Sequence, residues 1–173
     1  MVRLILALPA ALLLVAGIGL YLASRLRPYG IRTEVEIDAS PDDVWEVLTD
    51  FGAHPEWNPF IVRAEGEIEA GRRLRVELSS GGRVTVFEPT VLVAEAGREL
   101  RWLGRFGIPG LVDGEHYFLI EEAGDGRARL IHGEMFTGVA VPLARRALDV
   151  EADFTAMNSA LKQRVETMPR LTP

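Results

Sequence analysis

PLARRALDVEADFTAMNSALKQRVE, residues 142–166, carries one continuous apolar stripe. Leu143, Ala147, Val150, Phe154, Met157, Leu161 and Val165 recur three or four positions apart, which puts them on one face of an α-helix. The opposite face holds Arg145, Arg146, Asp149, Glu151, Asp153, Lys162, Arg164 and Glu166. The spacing predicts a single long helix over about residues 140–167, with Pro142 in its first turn and Pro169 just past its end. A one-sided helix of this length must bury its stripe against another layer, and the preceding segments supply a sheet.

Working back from that helix, residues 31–38 alternate strictly: Ile31, Thr33, Val35 and Ile37 against Arg32, Glu34, Glu36 and Asp38. This is the period of a half-buried strand. Ser40-Pro41-Asp42-Asp43 then opens a short helix, with Ser40 as cap, Pro41 at the first helical position and acids at the positive end. Val44, Val47, Leu48 and Phe51 form its apolar face, Gly52 and Pro55 end it, and a second short turn fits Pro55 to Asn58. Further strands are expected near 60–68, 72–79, 83–95, 98–106, 112–122 and 127–137, separated by glycine-bearing turns. Pro89 interrupts the fourth strand and predicts a bulge or bend there. Seven antiparallel strands and a covering helix make an α+β architecture, and a curved sheet gripping a helix leaves room for a cavity.

The N-terminus differs in kind. Residues 4–23 form a run of 20 residues without a charge. At about 1.5 Å rise each they reach the thickness of a bilayer core, so a single-pass transmembrane anchor is expected, followed by a basic linker to residue 27. A secretory signal peptide is the competing reading, with Gly17-Ile18-Gly19 as a weak cleavage site. The flanking arginines Arg25, Arg27 and Arg32 outnumber Arg3, which places the C-terminal domain on the cytoplasmic side. Residues 28–173 form the second unit. They hold 16 of the 19 basic residues and all 25 acids, a net charge of −9. An acidic domain without a basic stripe argues against nucleic acid as a partner. The chain has no cysteine, which excludes disulfides, thiol catalysis and thiolate metal sites.

The strand, then ASPDDVWEVLTDFGAHPEWNPF (residues 39–60), then the meander, then the stretch 142–166 resemble the SRPBCC superfamily, the START-like helix-grip proteins. Within it the chain is most similar to the bacterial polyketide cyclase/dehydrase-type group, over about residues 31–168. The resemblance implies a β-α-α-β6-α helix-grip fold: a seven-stranded curved antiparallel sheet wrapped on the long C-terminal helix, with a deep hydrophobic pocket between them. The N-terminal helix lies outside that pattern. The superfamily includes lipid carriers, hormone receptors, cyclases and chaperone activators, so it implies a pocket more than a reaction.

Alternation decides which side chains face that pocket. In 127–137 the inward set is Leu130, His132, Glu134 and Phe136, because Arg129 suits the outside. In 112–122 it is His116, Phe118 and Ile120, and in 98–106 it is Leu100, Trp102, Gly104 and Phe106. The expected ligand-binding wall is Trp102, His116, Phe118, His132, Glu134 and Phe136 from the sheet, with Phe154, Met157 and Leu161 from the helix. His132 and Glu134 are the candidate acid/base pair if a reaction occurs, since burial shifts both kinds of group. The bland alternative is that these polar residues hydrogen-bond one another and orient a ligand's polar end. His132-x-Glu134 says only that the two share a strand face; no metal site and no cofactor are expected from it. Asn158 could present its amide to the pocket mouth or point outward. Glu88, Arg72 and Arg73 read as solvated, and His54, Glu56 and Asn58 as residues that cap and turn the chain. Three functions stay open. The first is binding of a small hydrophobic molecule or lipid beside a membrane, the second a cyclase or dehydratase, the third a filled-core interaction domain.

Overall fold

The computed structural model describes residues 2–168. After the N-terminal helix α1 (Val2–Leu26), strand β1 (Tyr29–Ile37) leads into α2 (Pro41–Thr49), a 3-10 turn (Phe51–Ala53) and α3 (His54–Trp57). Strands β2 (Ile61–Gly66), β3 (Leu74–Ser80), β4 (Arg83–Phe87), β5 (Thr90–Glu95), β6 (Glu99–Phe106), β7 (Val112–Glu122) and β8 (Ala128–Thr137) follow. Two helices close the described chain, α4 (Val141–Ala144) and α5 (Glu151–Thr167). The architecture is α+β: curved antiparallel sheet on one side, α5 and α2 packed on its inner face.

The seven-stranded sheet expected from the sequence is corrected to eight strands in two sheets, ordered β1-β8-β7-β6-β5 and β2-β3-β4. The division falls at Pro89, which has no N–H to donate to a ladder. The segment expected as one strand, 83–95, stops pairing with β3 at Phe87 and starts pairing with β6 at Thr90. Backbone bonds from Leu74 to the Pro89 carbonyl (2.9 Å) and from Val91 to the Arg72 carbonyl (2.9 Å) carry the seam between the sheets. At the β3–β4 hairpin Gly81 and Gly82 both take positive φ, 55° and 76°, which a two-residue turn of this hand demands.

The single helix expected over 140–167 is also broken, into α4 and α5 with an irregular link at 145–150. A continuous helix would have buried Leu143 and Ala147 and turned Leu148 outward. The break instead leaves Leu143 92% exposed and buries Leu148 and Val141. Pro169 lies outside the described residues. From Phe154 onward the stripe holds: Phe154, Met157, Leu161 and Val165 are buried against the sheet and α2. Lys162 Nζ donates to the Glu36 carbonyl (2.6 Å), Glu166 accepts from the Asp38 N–H (2.8 Å), and Arg164 pairs with Glu56 (2.9 Å), which pins α5 to β1 and α3.

Among the described residues no helix is long and apolar enough to cross a membrane. The transmembrane anchor expected at residues 4–23 is corrected accordingly, and with it the single-pass membrane localisation and the orientation that rested on it. The side chains of residues 2–11 and 13 lie outside the described residues. The last turns of α1 are committed to the domain. Ser24 is buried, and its hydroxyl donates to the Tyr21 carbonyl (2.8 Å) and accepts from the Gly138 N–H (2.9 Å). The helix is thus fastened to the domain just past the uncharged run, while Leu12, Leu14, Val15, Ile18, Leu20 and Leu22 within the run are exposed.

DFGAHPEWNPF (residues 50–60) proves to be folding punctuation. His54 Nε2–H donates to the Leu48 carbonyl (2.9 Å) at the end of α2, and its Nδ1 faces Asn58 Nδ2 (3.4 Å). Asn58 Oδ1 in turn accepts from the Phe60 and Ile61 N–H groups (3.0 and 2.8 Å). At the other end of α2, Ser40 and Asp43 form a reciprocal capping box. Ser40→Ala should cost about 1 kcal/mol of stability by urea denaturation. An unchanged midpoint would show that Asp43 and the helix dipole hold this terminus without it.

Candidate functional site

The inner face of the larger sheet is laid out in rows by strand register. One row is Thr33, His132, Phe118 and Leu100; the next is Ile31, Glu134, His116, Trp102 and Val91; the third is Tyr29, Phe136, Gly114 and Gly104. The first row is sealed. Phe154 of α5 stacks on His132 at 3.9 Å and 14° and meets Phe60 edge-on at 5.4 Å. Met157 and Leu161 complete that packed layer with no exposed surface. The third row is hollow because two glycines face each other across β6 and β7. A Cβ on Gly114 would collide with Glu134 Oε1 and press on Phe136 at 3.2 Å, so glycine is what lets Glu134 lie across the strand.

The hollow is a cavity of about 250 Å³. Trp102, His116, Glu134 and Phe136 form its floor with the two glycines. Val76, Leu78, Thr85 and Phe87 of the smaller sheet form one wall, and Leu148 and Val150 of the α4–α5 link another. Its rim carries Ser80, Arg83, Phe106 and Ala147, of which Phe106 is 43% exposed. Ser80 Oγ donates to Asp153 Oδ2 (2.5 Å), fastening the β3–β4 hairpin to α5 beside the opening. The volume is slightly below the usual scale of about 300–1,000 Å³ for small-molecule sites.

A chain of polar contacts runs from this floor into the core. Glu134 Oε2 lies 3.5 Å from His116 Nδ1. His116 Nε2 lies 2.9 Å from His132 Nε2, and His132 Nδ1 lies 2.9 Å from Asn158 Oδ1. Asn158 Nδ2 donates to Thr33 Oγ1 (2.9 Å), whose hydroxyl donates to the His132 carbonyl (3.1 Å). His116 is also stacked on Trp102 at 4.9 Å and 16°. Burial away from water disfavours every charged form here. It pushes the Glu134 carboxyl up to about 8 and His116 down to about 3. Burial also lowers His132 well below the ordinary imidazole range, with the neighbouring His116 adding to the effect and Asn158 opposing it. Each of these shifts favours the neutral form of its group.

Of the expected wall, Trp102, His116, Glu134 and Phe136 line the cavity. His132, Phe118, Phe154, Met157 and Leu161 lie in the closed layer beneath it, all without exposed surface. His132 and Glu134 do not touch directly; His116 stands between them. Asn158 points inward and is buried, whereas Thr155 is exposed and bonded back to Glu151. Glu88 and Arg73 pair with each other at 3.5 Å on the surface, and Arg72 pairs with Glu67 and Glu69. The sequence reading did not assign roles to Gly104 and Gly114, to the rim or to the walls from β3, β4 and the α4–α5 link. Adjacent inward-facing glycines on predicted strands were the one available signal. Among the described residues no cluster of three or more His, Cys, Asp or Glu side chains is arranged to hold a metal ion.

Over residues 30–166 the chain matches the family described as polyketide cyclase / dehydrase and lipid transport. Among solved structures it resembles the Zhui aromatase/cyclase from Streptomyces sp. R1128, with a TM-score of 0.65 and 16% identity over 81% of this chain and 94% of that one. A START superfamily protein from Mycobacterium smegmatis gives a TM-score of 0.61 at 24% identity, over 81% and 99% of the two chains. Norcoclaurine synthase from Thalictrum flavum gives 0.64 at 15% identity, over 82% and 88%. At these identities the likeness is one of fold. No curated protein matches the sequence.

Proposed function

The chain belongs to the polyketide cyclase / dehydrase and lipid transport family, and from that premise we propose that it binds a small hydrophobic molecule in the cavity between sheet and C-terminal helices. The observation that carries this reading is the cavity floor: aromatic rings and glycines around one carboxyl–imidazole pair, open at a rim of mixed polarity. Such a surface gains by covering apolar area and offers one polar contact for orientation. The bound molecule is held and not transformed. The polar chain ends at the Asn158 amide and the Thr33 hydroxyl, whose proton is committed to the His132 carbonyl, an arrangement that orients the pair.

The second reading is a cyclase or dehydratase in which Glu134 and His116 exchange protons with the ligand. What favours it is the displacement of Glu134 into the range of a working acid at neutral pH. The full-length chain, purified under native conditions and examined by mass spectrometry after organic extraction, should carry one small apolar molecule. Wild type and Glu134→Gln should both return that molecule unchanged after incubation. Conversion by wild type that Glu134→Gln lacks would replace the binding reading with the catalytic one. Protein empty at every preparation and unresponsive to added apolar compounds would remove both.

A further inference from the structure

The polar chain has a direction, and the direction can be read from its inner end. The His132 carbonyl can only accept, so the single hydroxyl hydrogen of Thr33 is committed to it at 3.1 Å. Thr33 Oγ1 must then accept from Asn158, which turns Nδ2 of the amide towards Thr33 and Oδ1 towards His132. An amide oxygen only accepts, so His132 carries its proton on Nδ1. A ring buried without an opposing charge is neutral, which leaves His132 Nε2 as a lone pair. His116 must therefore place its proton on Nε2 to make the 2.9 Å contact, and its Nδ1 is a lone pair in turn. Glu134 Oε2 faces that lone pair from 3.5 Å, longer than a formed hydrogen bond, and a lone pair opposite a carboxyl group favours the protonated acid over the carboxylate. Running the chain the other way would flip the Asn158 amide and strip the His132 carbonyl of its hydroxyl, leaving one contact fewer.

From this we infer that Thr33 and Asn158 act as positioning residues that hold Glu134 as a neutral acid, its O–H turned to His116 and its carbonyl oxygen Oε1 turned to the cavity. The cavity then selects an uncharged apolar molecule that carries one hydroxyl or N–H donor. This rests on the binding reading above and goes beyond it, because an apolar cavity alone has no preference for a donor. Gly114 is part of the device, since any side chain there would occupy the place of Oε1. A carboxylate ligand would lose its hydration against a floor with no cation, since Arg83, the one arginine or lysine among the lining residues, stands at the rim. Size narrows the class further. A dry cavity of about 150 Å³ takes benzene, so the cavity of about 250 Å³ suits a fused bicyclic ring.

Two measurements on the full-length chain test this. The first is the nitrogen-15 spectrum of the histidine rings, which separates the two tautomers and the cation. At neutral pH His132 should be protonated at Nδ1 and His116 at Nε2, and Thr33→Val should weaken both preferences. The reverse tautomers, a cationic ring, or no response to Thr33→Val would overturn the assignment. The second is calorimetric binding of 2-naphthol, 2-methoxynaphthalene and 2-naphthoate. The naphthol should bind roughly 3- to 10-fold more tightly than the methoxy compound, the worth of one hydrogen bond, and the naphthoate should bind most weakly. Glu134→Gln should keep the naphthol preference, because an amide reproduces both a donor to His116 and an oxygen to the cavity. Glu134→Leu should erase it. Loss of the preference in Glu134→Gln would mean that an ionised carboxylate was the partner, and would overturn the inference. Equal binding of naphthol and methoxynaphthalene would overturn the donor rule while leaving the binding reading intact. No binding of any of the three would remove the binding reading and the ligand class with it.

Discussion

Phe154→Ala is expected to cost about 3–5 kcal/mol of stability, the range for removing a large aromatic from a packed core. Phe154 has no exposed surface and touches three partners that cannot follow it: His132 stacked at 3.9 Å, Phe60 edge-on at 5.4 Å and His116 at 5.0 Å. α5 cannot shift to fill the space, because Lys162, Glu166 and Arg164 fix its far end to β1 and α3. The substitution also opens the layer that seals His132. Urea denaturation reads the loss directly, and Phe154→Leu should recover most of it. A cost for Phe154→Ala under 1 kcal/mol, on the scale of an exposed substitution, would show that the space closes and that this layer is not the rigid floor described here.

Stability should fall as pH rises from 6.5 to 8, and Glu134→Gln should abolish that fall. In the native state Glu134 keeps its proton up to about pH 8, whereas its ordinary value is 4.5. Between those values the native state binds one proton more than the unfolded chain, so stability declines with rising pH and levels off above about 8. His116 acts with the opposite sign. Lowered from 6.5 to about 3, it leaves the unfolded chain binding the extra proton over that range, so stability rises with pH until 6.5. His132 and His54 are lowered by burial too and add to the same trend. The opposing slopes overlap below pH 6.5; above it Glu134 acts alone among these groups. A full proton over that window corresponds to about 2 kcal/mol. Urea midpoints for wild type should drop across the window while those of Glu134→Gln stay level, and both should drop on acidification below 6.5. A level wild-type profile from 6.5 to 8 would mean that water reaches Glu134 and that the cavity floor is not dry.

Much of this molecule is legible along the chain because its signals are local. The alternation of residues 31–38, the Ser40–Asp43 cap and the stripe from Phe154 to Val165 each depend only on periodicity and nearest turns. Inward and outward faces of β6, β7 and β8 follow from the same period of two, which is how Trp102, His116, Glu134 and Phe136 could be gathered into one expectation. Where local signals compete with packing, the reading fails. The stripe extended through Leu143 and Ala147 was ended by a link that buries Leu148 instead. The 20-residue uncharged run read as a membrane anchor, yet the residue that follows it, Ser24, is docked against Gly138. Pro89 was visible as an interruption, but a missing N–H cannot say which partner strand the chain joins next.

The sequence by itself determined the class of fold, the family pattern and which residues share a sheet face, because each is written in spacings of two, three and four residues. Only the tertiary structure decided what those residues do together. Register set His116 between Glu134 and His132, the curvature of two sheets placed Gly104 and Gly114 at a cavity, and α5 delivered Asn158 from 26 residues beyond His132. These are relations between strands and helices distant in the chain. They arise from hydrogen-bond ladders and close packing, and neither leaves a mark in the order of neighbouring residues.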